Sequence, residues 1–223
     1  MSNYVVVEGL IGVGKTSLCH LLKERYQAKL VLEPCEENPF LASFYNDPMH
    51  YAFPAQMFYL ASRYQQQLQL LQKDLFNTLT VADYLFDKDR IFAEQTLNDD
   101  EMDLYNRFTE LLSHHVSVPD FILFLDAPTD IVLSRIARRS REAEHVIEAE
   151  YLDALRTRYY NLWNNWTRCP IYVIDTSKLN YVDIKEDADY MCRLVEGYIH
   201  HTPIAGAPAP YHEAAGQRML FNL

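Results

Sequence analysis

Basic residues are in short supply in this chain of 223 residues: 20 Lys and Arg stand against 31 Asp and Glu, a formal net charge of −11. A surface of that sign repels nucleic acid polymers and anionic membranes, so neither is expected as a partner. A small anion held in a local basic pocket is compatible with it. Long apolar runs are missing too, and none approaches the ~18 residues that a membrane span needs. Cysteine is sparse: Cys19, Cys35, Cys169 and Cys192 stand far apart, with no C-x-x-C pair, and read as isolated reduced thiols. The histidine pairs His114-His115 and His200-His201 lack further ligands at metal-site spacing. The amino terminus, MSNYVVVEGL, has neither a basic stretch nor a long apolar one and is not read as a signal peptide. These absences lead us to expect a soluble, cytoplasmic protein.

What the chain does contain is ordinary globular composition, 49% hydrophobic and 23% charged. Short β-branched runs at Tyr4–Val7, Lys29–Glu33, Thr78–Asp83, Phe121–Asp126 and Ile171–Asp175 alternate with helical patterns. The main helices are expected at Thr16–Tyr26, Pro54–Lys73, Phe86–Leu97, Asp100–His114, from Thr129, at Glu148–Trp166 and at Val182–His200. Such alternation predicts an α/β fold with a five-stranded parallel sheet buried on both faces by helices. Residues 1–201 read as one domain. Residues 202–223, rich in Ala and Pro, read as a loosely packed tail whose apolar end, Met219-Leu220-Phe221, could instead dock on the body or on a second subunit. Trp163 and Trp166 share a helix face and suit either a core or a subunit contact.

Residues 9–16 read GLIGVGKT, matching G-x-x-x-x-G-K-[ST], between a predicted strand and a predicted helix. Gly9, Gly12 and Gly14 let successive backbone N–H groups curl toward phosphate oxygens, and the following helix adds its positive end. Lys15 would reach the β- and γ-phosphates, Thr16 would ligate Mg²⁺, and Ser17 continues the ATP-binding turn. Such a P-loop specifies phosphates, not a reaction.

Other residues narrow the chemistry. Glu33 ends the second strand, beside the P-loop at the carboxyl edge of the sheet, where a carboxylate can take a proton from an attacking hydroxyl or simply face solvent. Asp83 ends the third strand and suits either Mg²⁺, partly through water, or a helix N-cap. Arg135, Arg138, Arg139 and Arg141 crowd one short segment of an acidic protein, as expected of an Arg-rich lid over phosphates or of a solvated helix face. Gln56 and Arg63, two helical turns apart among aromatics, suit a nucleobase pocket or an ordinary amphipathic helix.

Five segments in order, EGLIGVGKTSL, EPCEENPFLASFYNDP, YAFPAQMFYLASRYQQ, ADYLFDKDRIFA and SRIARRSREAEHVIEAEYL, resemble the deoxyribonucleoside kinase family, in particular its bacterial deoxyadenosine/deoxyguanosine kinase branch. The resemblance implies a three-layer P-loop NTPase fold, a homodimer, and transfer of the ATP γ-phosphate to the 5′-hydroxyl of a deoxynucleoside, purines favoured, with Mg²⁺. It implies Glu33 as general base, Tyr45 and Glu144 on the 3′-hydroxyl, Gln56, Arg63 and Asp89 on the base, and Asp83 near Mg²⁺. Arg135, Arg139 and Arg141 fall on the phosphates. One departure stands out: the family's D/E-R-S motif reads Asp83-Tyr84-Leu85, with Tyr84 replacing an arginine that positions the transferring phosphate. Lys88 or Arg90, on the next turn, are candidates to supply the lost charge. The fourth strand and its continuation, FILFLDAPTDIVLSRI, also resemble the thymidylate kinases, whose acceptor is a monophosphate. A carboxylate at Glu33 would repel that acceptor. A P-loop regulatory protein without transfer activity is the remaining alternative, with Tyr84 as its clue.

Overall fold

A computed structural model of the chain describes residues 3–33, 37–70, 77–112, 116–139 and 147–214, with the backbone alone at Tyr45. Five strands form one parallel sheet: β1 (Asn3–Gly9), β2 (Lys29–Val31), β3 (Leu79–Ala82), β4 (Phe121–Asp126) and β5 (Ile171–Asp175), in the order β2-β3-β1-β4-β5. The central strand β1 has Val6 opposite Ala82 on one side and Ile122 on the other. Val5, Val6 and Val7 are fully buried, as the run of β-branched residues predicts for a sheet covered on both faces. The expected α/β class and parallel five-stranded sheet are present.

Among the described residues the helices are α1 (Lys15–Tyr26), α2 (Leu41–Asn46), α3 (Pro48–Leu70), α4 (Lys88–Thr96), α5 (Asp99–Leu112), α6 (Thr129–Arg139), α7 (Ala149–Asn165) and α8 (Lys185–Ile199). Helix α1 packs on β1, β2 and β3 and against α8, while α4 lies between α3 and α7. The ring of Phe124 on β4 meets Tyr159, Tyr160 and Trp163 of α7 at centroid distances of 5.1, 5.7 and 5.4 Å. Trp163 and Trp166 are thus core residues of this subunit. No described helix is long and apolar enough to cross a membrane.

Two elements differ from expectation. Helix α3 begins at Pro48, not Pro54, and the short helix α2 precedes it. Pro48 fits the first helical position, where no N–H is required. Pro54 lies inside the helix and leaves the carbonyl of His50 without a helical donor, but His50 is exposed and water can replace it. Past α8 the chain turns back tightly over Gly197, and residues 202–214 pack on the body. Tyr198 donates to the Pro208 carbonyl at 2.9 Å, Tyr211 to Asn164 at 2.9 Å, and the His212 ring meets the Trp166 carbonyl at 2.7 Å. This part of the expected tail is docked, whereas Met219-Leu220-Phe221 lie outside the described residues.

Candidate active site

The P-loop joins β1 to α1 with positive φ at Gly9 (145°), Gly12 (79°) and Gly14 (115°). At Gly14 a side chain would also collide with the Tyr181 hydroxyl, so glycine is required there on both counts. Lys15 folds back on its own loop, its Nζ donating to the carbonyls of Gly9 (2.8 Å) and Leu10 (3.0 Å). Desolvation, and next the charge of Lys88, lower its pKa. Thr16 and Ser17 open the first turn of α1 and are exposed.

Asp83, just past β3 and buried, joins the P-loop to the end of β2. One carboxylate oxygen accepts the Thr16 hydroxyl at 2.6 Å, and the other accepts the Glu33 backbone N–H at 2.7 Å. The N-cap alternative for Asp83 is not realised, because α4 starts only at Lys88. The adjoining oxygens of Thr16 and Asp83 are the hard donors that Mg²⁺ takes. Among the described residues no cluster of three acidic, His or Cys side chains forms a metal cage. The donor set therefore fits an ion that arrives with phosphates and keeps its waters.

The Glu33 carboxylate lies between two cations. Arg63 Nη2 donates to Oε1, and Lys88 Nζ lies 3.2 Å from Oε2. Burial favours the neutral acid, but Lys88 and then Arg63 outweigh it and hold Glu33 well below the usual carboxylate range. Arg63 Nη1 donates in turn to Asp89, so one guanidinium ties β2's end to α4. The guanidinium also sits over the rings of Tyr59 and Tyr84, at 5.2 and 5.6 Å from their centroids. Arg63 Nε and Asp89 Oδ2, a donor and an acceptor among the residues of the expected base pocket, are each buried without a partner. Gln56, two turns away on the same face of α3, donates Nε2 to Thr96 Oγ1 at 3.2 Å. Thr96 donates its own proton to the Phe92 carbonyl at 2.8 Å, so it can only accept from Gln56, which fixes the amide's orientation.

The arginines separate. Arg135 donates to the carbonyls of Val13 (3.0 Å), Thr176 (2.6 Å) and Leu179 (3.3 Å) and to the Thr176 hydroxyl (3.0 Å), so its guanidinium braces the P-loop backbone. Arg138 pairs with Asp183 at 2.9 Å on the surface, and Arg139 is the exposed last residue of α6. Arg141, Glu144 and the side chain of Tyr45 lie outside the described residues.

Three contributors escaped sequence reasoning. Glu8, fully buried on β1, accepts from Gly9 N (3.0 Å), Leu85 N (2.6 Å) and the Tyr159 hydroxyl (2.8 Å), linking P-loop, β3 loop and α7. Asn38 holds the segment after β2 to α3 through the Ala55 carbonyl at 3.2 Å. Thr96 orients Gln56. Glu8 and Asn38 lie inside segments that carry the family resemblance, where no role was assigned to them; the placing of an acid within an apolar strand is a further signal for Glu8, and nothing in the sequence flags Thr96.

Comparison with known proteins converges on one family. The family model for deoxynucleoside kinase matches residues 5–200. A deoxyguanosine kinase of Bacillus subtilis is 34% identical over 157 residues, covering 70% of this chain and 76% of that protein. A deoxyadenosine kinase of Dictyostelium discoideum is 31% identical over 181 residues, covering 78% of this chain and 73% of that one. The solved structure of a deoxyadenosine kinase from M. mycoides with bound dATP superposes with a TM-score of 0.74 at 22% identity, over 87% of this chain and 99% of that chain, which establishes the shared fold. With a P-loop, an acid at the end of β2 and a match along nearly its whole length, this chain belongs to the deoxynucleoside kinase family.

Proposed function

We propose that the protein transfers the γ-phosphate of ATP to the 5′-hydroxyl of a deoxynucleoside, purines favoured, as a salvage enzyme of the cytoplasm. The observation that carries this reading is the joint at Asp83, which ties Thr16 of the P-loop to the backbone of Glu33. It holds a carboxylate beside the loop that binds the triphosphate. Glu33 takes the 5′-hydroxyl proton as O5′ bonds to the γ-phosphorus; the bond from that phosphorus to the bridging oxygen breaks, and ADP leaves. Lys15, with the backbone N–H groups of Gly12 and Gly14 on the turn that opens at Gly9, holds the phosphates, and Ser17 and Arg135 complete the ATP-binding set. Thr16, and Asp83 partly through water, would hold Mg²⁺, which would supply charge neutralisation on the phosphate oxygens. Arg139 and Arg141 act on the phosphates, Tyr45 and Glu144 on the 3′-hydroxyl, and Gln56, Arg63 and Asp89 on the base. The unpartnered Arg63 Nε and Asp89 Oδ2 support that last assignment, since a base edge offers both with a partner. Names of the relatives, deoxyguanosine and deoxyadenosine kinase, support a purine acceptor.

The protein acts as a homodimer in this reading. Helix α5 supports it, with Leu104, Phe108 and Leu111 forming one exposed apolar stripe. The deciding measurement is ADP release from Mg–ATP with each of the four deoxynucleosides, with dTMP, and with no acceptor. Stimulation by deoxyguanosine or deoxyadenosine is expected. Stimulation by dTMP alone would move the chain to monophosphate chemistry, and ATP turnover indifferent to acceptor would make it a regulatory NTPase.

A further inference from the structure

Three residues bear on the cation missing from the segment after Asp83. Tyr84 does not supply it: its ring is buried in the core and its hydroxyl donates to Gln66 Oε1 at 2.6 Å. Arg90 does not supply it either. It is exposed on α4, with Nε donating to Glu94 one turn on at 2.8 Å. Lys88, the first residue of α4, is only 4% exposed and reaches Glu33 Oε2 at 3.2 Å.

An ammonium is costly to bury, and a core lysine with only a structural duty is uncommon. Arg63 holds Oε1 of Glu33 but divides its one charge with Asp89, so Lys88 on Oε2 balances the second carboxylate until another anion arrives. Lys88 is also close enough to Lys15 for mutual repulsion. Two like charges drawn together around one acid, beside a phosphate-binding loop, are relieved when an anion enters between them. Lysine suits such a transfer, because its ammonium is a compact charge with rotatable donors on a flexible stem.

Resting on the kinase reading, we propose that Lys88 is a catalytic residue: its ammonium passes from Glu33 to an oxygen of the phosphoryl group during transfer, supplying the cation that Tyr84 does not. The move frees the Oε2 side of Glu33 for the hydroxyl proton. After transfer the same ammonium rests on the 5′-phosphate of the product.

The test compares K88M, K88R and R90A with wild type in turnover and in calorimetric binding, without ATP, of deoxyguanosine against dGMP and deoxyadenosine against dAMP. K88M is expected to lower kcat by about 10²–10³-fold, the range for losing one charge-stabilising donor. It should weaken monophosphate binding at least ~10-fold, the scale of one charge-assisted contact, and leave deoxynucleoside binding within about threefold. K88R should recover at least ~10-fold of the lost turnover because it restores the charge, and R90A should match wild type. K88Q, which keeps a donor for Glu33, replaces K88M if the apolar variant does not fold. Equal loss of nucleoside and monophosphate binding would make Lys88 a prop for Glu33 and overturn the proposal, as would unchanged monophosphate binding. Failure of the kinase reading looks different: wild type itself would show no deoxynucleoside-dependent ADP release.

Discussion

Glu33, the base of the proposed mechanism, is a carboxylate kept ionised by its neighbours, and the strength of that arrangement can be measured at single residues. Its neutral isostere cannot take a proton, so Glu33→Gln is expected to lower kcat by about 10²–10⁴-fold while the nucleoside KM moves only a few-fold. Steady-state kinetics with varied nucleoside would decide it; a change confined to KM would make Glu33 a binder. Arg63→Met leaves Asp89 and one side of Glu33 without their buried partner, at a cost of about 3–5 kcal/mol in urea unfolding. The pH sign follows from Glu33, whose pKa in the folded protein lies below its unfolded value of about 4.3. The folded state then binds fewer protons, so the stabilisation is fully present above the unfolded value and lost as pH falls toward the folded one. The gap between wild type and Arg63→Met should therefore narrow on acidification. Tyr84→Phe should do something different: it removes one hydrogen bond to Gln66, costs about 0.5–1.5 kcal/mol, and leaves kcat within twofold. The positions of Lys15, Thr16 and Glu33 were legible because motif spacing and strand ends carry them. The bond from Gln56 to Thr96 was not, since it joins side chains 40 residues apart and only the folded chain brings them together.

At the scale of elements, strands were read well because consecutive apolar β-branched residues have no other place than a buried sheet. Helix α2 and the start of α3 were not, since Pro48 and Pro54 look like breakers whereas one begins a helix and the other sits where water can satisfy the freed carbonyl. The joining of elements was the least legible part, and Glu8 shows why: its three donors come from neighbours 1, 77 and 151 residues away. Glu8→Ala would leave Gly9 N, Leu85 N and the Tyr159 hydroxyl without their acceptor in the core. At about 1–3 kcal/mol for each buried group left unsatisfied, the variant is expected to lose most of the stability of a domain this size. Tyr159→Phe, which removes one donor and leaves Glu8 two others, should cost only about 1 kcal/mol. Denaturant unfolding of the two variants side by side would check the ratio. Similar losses in both would mean that Glu8 is not the joint between P-loop, β3 loop and α7.

For the whole molecule the question is how the proposed homodimer would form from a chain of net charge −11. Helix α5 shows the conflict within itself: Leu104, Phe108 and Leu111 are 43, 40 and 72% exposed, while Asp99, Asp100, Glu101 and Asp103 load its first half with negative charge. Burying the three apolar side chains contributes about 1.5–3 kcal/mol each at most. Association costs about 4–15 kcal/mol in lost freedom, so α5 can anchor a dimer only with help from adjoining surface. The like charges oppose it further, and 0.1 M salt screens them over ~10 Å. The dimer is therefore expected to tighten as salt rises from ~0.05 to ~0.3 M, opposite to an interface held by ion pairs. Phe108→Glu with Leu111→Glu adds charge to the stripe and removes two of its anchors, and should yield a monomer at micromolar concentration. Sedimentation equilibrium at both salt levels reads all of this at once: a wild-type monomer throughout would remove the homodimer, and a dimer that survives the double substitution would move the contact off α5.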